Sequence, residues 1–240
     1  MHYATVLITG VHKGLGNALT QAFLNDGADV FGVSRRRPND LENDARLRFC
    51  SLDLAKTDCI RDGIRKFLGA TKRIDLVLLN AGVLPPIKDL RDTSLAEISA
   101  VMAVNVWANK VIYDTLLEMH IEVGQLVAIS SGAALNGSAG QGAYSISKSA
   151  LNLLFRVYAH ENPATHFTCL APGLVQTQML EYMCSLDADD RYPALGIIRS
   201  AVGTERMQTP TQAAKRLLDA LPHLREYPTG SYVDIREMRE

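Results

Sequence analysis

Short runs of apolar, often β-branched residues alternate along the chain with longer segments of helical period. The predicted strands are Ala4–Thr9, Asp29–Val33, Leu47–Ser51, Ile74–Leu79, Gln125–Ser130, His166–Ala171 and Ser231–Ile235. The middle ones carry unbroken apolar runs, Leu76-Val77-Leu78-Leu79 and Leu126-Val127-Ala128-Ile129. A strand apolar on both faces belongs in a parallel sheet covered by helices on both sides. Helical spacing covers Gly14–Asn25, Thr57–Leu68, Ser94–Met119, Ala143–His160 and Thr211–Ala220. This alternation predicts an α/β fold: one Rossmann-type, doubly wound domain over 1–240, with a central parallel sheet of about seven strands flanked by helices on both faces. The rhythm breaks after Pro172-Gly173. Residues 174–210 mix helical signals with Pro193, Gly196 and Gly203. So long an excursion is expected to form a substrate-binding flap, with a purely structural insertion as the alternative.

Composition narrows the class. Apolar residues make up 47% and charged residues 21%, enough for a sizeable core and incompatible with global disorder. The 25 basic and 26 acidic side chains nearly cancel, which argues against a surface built for nucleic acid or an anionic membrane. Cys50, Cys59, Cys169 and Cys184 form no C-x-x-C and are expected as reduced thiols. The opening Met1-His2-Tyr3 has no basic region before the apolar run, which suits a first strand better than a leader. The longest uncharged apolar-rich stretch, Ile98 to Asn109, falls short of the ~18 residues a membrane span needs. A soluble cytoplasmic protein is expected. The six histidines form neither H-x-H nor H-E-x-x-H, so no metal site is predicted.

The first predicted strand runs into Thr9-Gly10-Val11-His12-Lys13-Gly14-Leu15-Gly16 and then a helix. Glycines let a backbone turn sharply and approach a pyrophosphate, and the helix offers that anion its unpaired N–H groups. The turn therefore points to a dinucleotide. The end of the second strand bears on which one. An acidic side chain there suits the ribose hydroxyls of NAD. Here stands Val33-Ser34-Arg35-Arg36-Arg37, with no carboxylate. Guanidinium groups suit a 2′-phosphate, and Lys13 is placed to reach the same group, so NADP (as NADPH) is the expected cofactor. His12 is either a neighbour of the cofactor phosphates or a solvated loop residue.

Tyr144 and Lys148 are spaced i, i+4 and share one helix face. A nearby ammonium is expected to lower the phenol pKa, making tyrosine a general acid or base for a carbonyl–alcohol pair. Ser131 follows the preceding strand, at the carboxyl end where ligands of open α/β sheets bind.

These residues, together with Asn80-Ala81-Gly82, Asn105 and Pro172-Gly173-x-Val175-x-Thr177-x-Met179, resemble the short-chain dehydrogenase/reductase family over nearly the whole chain. The resemblance implies that Tyr144 is the catalytic acid/base and that Lys148 lowers its pKa and bonds the nicotinamide ribose. It implies that Ser131 polarises the substrate carbonyl and that Asn105 holds a water relaying protons to Lys148. Asp53 and the adjoining Leu54 match the adenine contact; Asn80, Ala81 and Gly82 shape the adenosine pocket; Pro172, Gly173, Val175 and Thr177 face the nicotinamide. Asp53 could instead be a helix cap or turn residue, and Asn105 a buried backbone partner. Leu79 stands where many members carry a second asparagine, and Asn17 where a basic residue is common.

The implied reaction is hydride transfer from NADPH to a small-molecule ketone or diketone. Ser131-Gly132-Ala133-Ala134, Gly137 to Gln141 and the ending Gly230-Ser231-Tyr232-Val233-Asp234-Ile235 are similar to benzil reductase and sepiapterin reductase members of the family. Leu135, Gln141, Met179, Leu180 and Tyr182 are candidate pocket lining. Ile98–Ile112 and Leu151–Phe155 are apolar on more than one face, more than one sheet face can cover, and the resemblance implies that these helices pair between copies in a homodimer or homotetramer. A non-catalytic NADP-binding sensor or scaffold is the rival, but it has no need of Ser131, Tyr144 and Lys148 together.

Overall fold

The computed structural model describes residues 2–187 and 189–238. Seven strands form one parallel sheet: β1 (Thr5–Thr9), β2 (Asp29–Ser34), β3 (Leu47–Ser51), β4 (Arg73–Leu79), β5 (Glu122–Ile129), β6 (His166–Ala171) and an edge strand numbered β9 (Ser231–Asp234). Their order is β3-β2-β1-β4-β5-β6-β9, with every pairing parallel. The order reverses between β1 and β4, which opens a crevice at the carboxyl ends of those strands.

Alternation of side chains explains why the central runs are apolar throughout. Val6 and Ile8 pack with Leu76, Leu78 and Val127 on one face, against α1 (Gly14–Asn25) and α9 (Pro210–Ala220) through Leu19, Phe23 and Leu217. Leu7 turns the other way with Val77, Leu126 and Phe167. Those meet α2 (Thr57–Leu68) and the long helices that follow β4 and β5. Tyr113 and Phe167 lie edge to face at 5.2 Å there, beside Phe155.

The helix expected over Ser94–Met119 is continuous from Leu95 to Glu118 but not uniform. Ser94 caps it in a reciprocal arrangement with Glu97, and α3 (Leu95–Met102) gives way to a π turn at Ala103–Trp107 before α4 (Ala108–Glu118). The apolar stretch from Ile98 to Asn109 understated it: this helix of 24 residues is long and apolar enough to cross a membrane by length and composition. In this fold Val106, Ile112, Tyr113 and Leu116 are buried, and the helix packs on α2 and on α6 (Gly142–Glu161). Strand β5 also starts three residues earlier than Gln125, because Glu122 and Val123 pair with Arg73 and Ile74. Glu122 hides that extension in the sequence.

The excursion after β6 has a defined base. β7 (Leu174–Val175) and β8 (Met207–Gln208) pair in parallel, so the segment leaves and returns at one place. Between them stand α7 (Gln178–Ser185) and α8 (Pro193–Ala201), with their own apolar cluster of Met183, Tyr192, Leu195 and Ile198. A short α5 (Ala133–Asn136) precedes α6.

Candidate active site

The glycine turn is built by close packing. Gly10 and Gly14 have φ of 77° and 60°, conformations costly for any residue with a Cβ. At Gly16 a Cβ would lie 2.2 Å from the Gly10 carbonyl oxygen and 2.4 Å from Asn80 Nδ2. Asn80 anchors the turn from β4: its Nδ2 donates to the Thr9 carbonyl at 3.0 Å. The Thr9 hydroxyl accepts from both Asn80 and Ala81 backbone N–H groups, each at 3.0 Å. Leu15 is buried beneath. No side chain caps the start of α1 and no carboxylate sits in its first turn, which leaves its N–H groups and dipole for an anion.

The basic residues divide. Arg35 and Arg36 are exposed beyond β2 and form no ion pair among the described residues. The Ser34 hydroxyl donates to the Arg36 carbonyl at 2.6 Å, and Ser51 donates to the Arg35 carbonyl at 3.0 Å, which fixes the loop backbone. Arg37 faces inward instead, over the Phe49 ring. His12 is half-buried, its Nδ1 donating to the Arg37 carbonyl at 3.2 Å, so it ties the glycine turn to the arginine loop. Lys13 is exposed and donates to Gln178 at the start of α7 rather than reaching toward Arg35. Asp53 accepts from the Ala55 N–H at 3.1 Å, the turn role held open in the sequence, while Leu54 is core.

Tyr144 and Lys148 sit on α6, facing Ser131 beyond β5. Tyr144 is 9% exposed and Lys148 3%. Burial pushes the Tyr144 phenol above its ordinary range, and the neighbouring Ser131 hydroxyl opposes that rise. The expected acidification of Tyr144 by Lys148 is not realised: Lys148 Nζ donates to the Ile129 carbonyl at 2.6 Å and stands 5.7 Å from the phenol ring centre. Burial lowers Lys148 to about 8. Ser131 Oγ also accepts from the Ala133 N–H at 3.2 Å.

Asn105 occupies the π turn, fully buried. Its Oδ1 accepts from Val83 N–H at 2.8 Å, and its Nδ2 donates to the Val83 carbonyl at 3.0 Å and Ser147 Oγ at 2.9 Å. Its own carbonyl accepts from Asn109 Nδ2 at 2.8 Å. These bonds match the backbone-partner alternative. They clamp the loop after β4 to α6, beside Gly82, which lies next to the Asn105 and Lys148 side chains.

One crevice of about 320 Å³ gathers Leu15, Asn80, Gly82, Ser131, Tyr144, Lys148, Pro172, Gly173, Val175 and Thr177. Gln141, Met179 and Leu180 line it as expected. Leu135 and Tyr182 do not. Leu135 is 66% exposed on α5, and the Tyr182 hydroxyl accepts from the Ile87 N–H at 3.4 Å. The lining also includes Leu84, Asn136, Met183, Ile197, Ile198 and Arg236. The apolar members carried no motif. Arg236 could have been found from its place just past the carboxyl end of a strand. Among the described residues, no three His, Cys, Asp or Glu side chains cluster as a metal site.

Comparison with known proteins agrees with this architecture. A benzil reductase ((S)-benzoin forming) from Bacillus cereus is 24% identical over 97% of this chain and 99% of its own. A short-chain dehydrogenase/reductase from Saccharomyces cerevisiae superposes with a TM-score of 0.84 at 21% identity, covering 97% of this chain and 96% of its own. A short-chain dehydrogenase from Burkholderia cenocepacia, solved in complex with NADP, superposes with a TM-score of 0.76 at 21% identity, over 97% and 96%. The short chain dehydrogenase family model matches residues 4–185, three quarters of the sequence, and the chain is a member of that oxidoreductase family.

Proposed function

We propose that the chain is an NADPH-dependent carbonyl reductase acting on a ketone or diketone, with Ser131, Tyr144 and Lys148 as its working groups. One observation carries this reading: a buried phenol and the Ser131 hydroxyl line the same crevice as Leu15 at the glycine-turn end of α1 and the Pro172-Gly173 turn. A phenol whose pKa is raised stays protonated at neutral pH, the form that donates a proton to a carbonyl oxygen gaining negative charge. Ser131 holds that oxygen. Lys148 and Asn105 fix the α6 face and the loop carrying Gly82.

The residues present suit a phosphorylated dinucleotide. Only glycine fits at position 16, α1 presents N–H groups without a side-chain cap, and the exposed cations beyond β2 form no ion pair among the described residues. Gly10, Gly14 and Gly16 would cradle the pyrophosphate, Arg35 and Arg36 the 2′-phosphate, and Val175 and Thr177 the carboxamide. When bound, the dinucleotide supplies the hydride. Arg35→Asp replaces a charge-assisted bond with repulsion. It should weaken NADPH by about 10- to 100-fold while leaving NADH within about threefold. Dissociation constants from cofactor fluorescence check this; equal loss for both cofactors would overturn the arginine assignment.

The reading itself is tested by NADPH consumption over diketones, quinones, pterins and ketosteroids. The Bacillus cereus relative supports placing diketones first. Binding of NADPH without consumption on any carbonyl would favour the sensor. The assembly proposed is a homodimer or larger. Trp107 and Leu117 on the long helix and Ile146, Leu153 and Val157 on α6 leave large apolar side chains 37–59% exposed. Sedimentation is expected to give at least twice 26.3 kDa at micromolar concentration, and a stable monomer would refute it.

A further inference from the structure

Arg236 lies two residues beyond β9 and lines the crevice. Its stem crosses the Pro172-Gly173 turn, with Cδ and Cγ 3.5 and 3.6 Å from the point a Gly173 Cβ would occupy. Its Nη2 ends 3.8 Å from the equivalent point of Gly132, the residue after Ser131. The guanidinium thus lies beside Gly132, at the Ser131 end of the crevice.

Its orientation is fixed. Asp234, 5% exposed, accepts from Arg236 Nε at 2.9 Å and Nη2 at 2.6 Å. A guanidinium has two edges that can each meet a carboxylate in a planar, two-bond fork. Asp234 occupies the Nε–Nη2 edge. The Nη1–Nη2 edge makes no hydrogen bond among the described residues. Among the described residues no acidic side chain lines the crevice, and its lining includes the apolar Met179, Leu180, Met183, Ile197 and Ile198. A site with such an apolar lining and one preset cationic fork selects an amphipathic anion.

We propose that Arg236 is a substrate-recognition residue whose open edge binds a carboxylate, so that the favoured substrates are oxo acids with an apolar remainder. This rests on the carbonyl-reductase reading above, deepens it, and adds a subsite at the end of the last sheet strand.

The test uses phenylglyoxylate and its methyl ester, which share a carbon frame and reacting ketone but differ in charge. Binding is measured calorimetrically on the full chain saturated with NADP⁺, and turnover with NADPH. Arg236→Gln is expected to weaken phenylglyoxylate at least tenfold and leave the ester within about twofold. Arg236→Lys keeps the charge beside Asp234 but loses the fork; it should show most of the same acid-selective loss and guards against destabilisation of the glutamine variant. Unchanged acid affinity, equal losses for acid and ester, or no acid binding by the native protein would overturn the subsite. Phenylglyoxylate bound through Arg236 but never reduced, with no other carbonyl consumed, would count against the reductase reading and leave the subsite standing.

Discussion

Replacing Tyr144 by phenylalanine should lower carbonyl reduction by about 10²- to 10⁴-fold while leaving NADPH affinity within about twofold. The variant removes only the hydroxyl. The ring keeps its buried place on α6, and loss of the one hydroxyl costs at most about 1 kcal/mol of stability. The rate effect corresponds to about 3–5 kcal/mol of barrier. Such a gap between barrier and stability separates proton donation from packing. The same site fixes the pH profile. Tyr144 is raised, so it remains a donor through neutrality; Lys148, near 8, sheds its proton first as pH rises. Reduction should therefore be level from about pH 6 to 7.5 and decline above about 8. Steady-state rates and cofactor titrations on both proteins check this. Equal activity in Tyr144→Phe, or a rate climbing steeply from pH 6 to 8, would remove the phenol from the mechanism.

Gly16→Ala is expected to have the largest structural effect of any glycine-to-alanine change in the chain. The new Cβ would meet a backbone oxygen at 2.2 Å and Asn80 Nδ2 at 2.4 Å. Neither can withdraw freely. The oxygen belongs to Gly10, and Asn80 is bonded to the Thr9 carbonyl while its N–H is held by the Thr9 hydroxyl. Relief requires parting the turn from the end of β4. A cost of about 3 kcal/mol follows, which lowers Tm by roughly 6–12 °C for a chain of this size. Affinity for NADPH should fall at least tenfold, because the same atoms line the anion cradle. Gly196→Ala is the control: it is helical, has ordinary φ, and finds no atom within 4 Å. It should be neutral or stabilising by roughly 0.5–1 kcal/mol. If the two variants melt alike, the close approach at Gly16 is not what the fold depends on.

The sheet was legible because its strands are short, apolar and separated by well-punctuated helices; α1, α2, β3 and β6 fall within the same bounds in sequence and structure. The residues gathered around Tyr144 were legible because their spacing along α6 and beside β5 follows from helix and strand geometry. Three features were not. The π turn has no composition signal, since it arises from the tertiary bonds of Asn105 to Val83 and Ser147. The Gln178 and Ile129 partners of Lys13 and Lys148 carry no sequence signal, because a long flexible cation takes the nearest acceptor. Leu135 and Tyr182 share a neighbourhood with the crevice in sequence but do not line it. Conversely, Arg236 is distant in sequence and reaches the crevice only because β9 pairs beside β6.

The π turn at Ala103–Trp107 also sets the rotational phase of the long helix. Ahead of it, α3 lies against α6; behind it, α4 lies against α2. One residue more or less in a regular helix turns everything downstream by about 100°. The inserted residue thus acts as a gear between two contact stripes, each correct only for its own neighbour. A family relative lacking it would have to re-pattern the apolar positions of one half, so the turn and the hydrophobic stripes on either side of it are bound to change together.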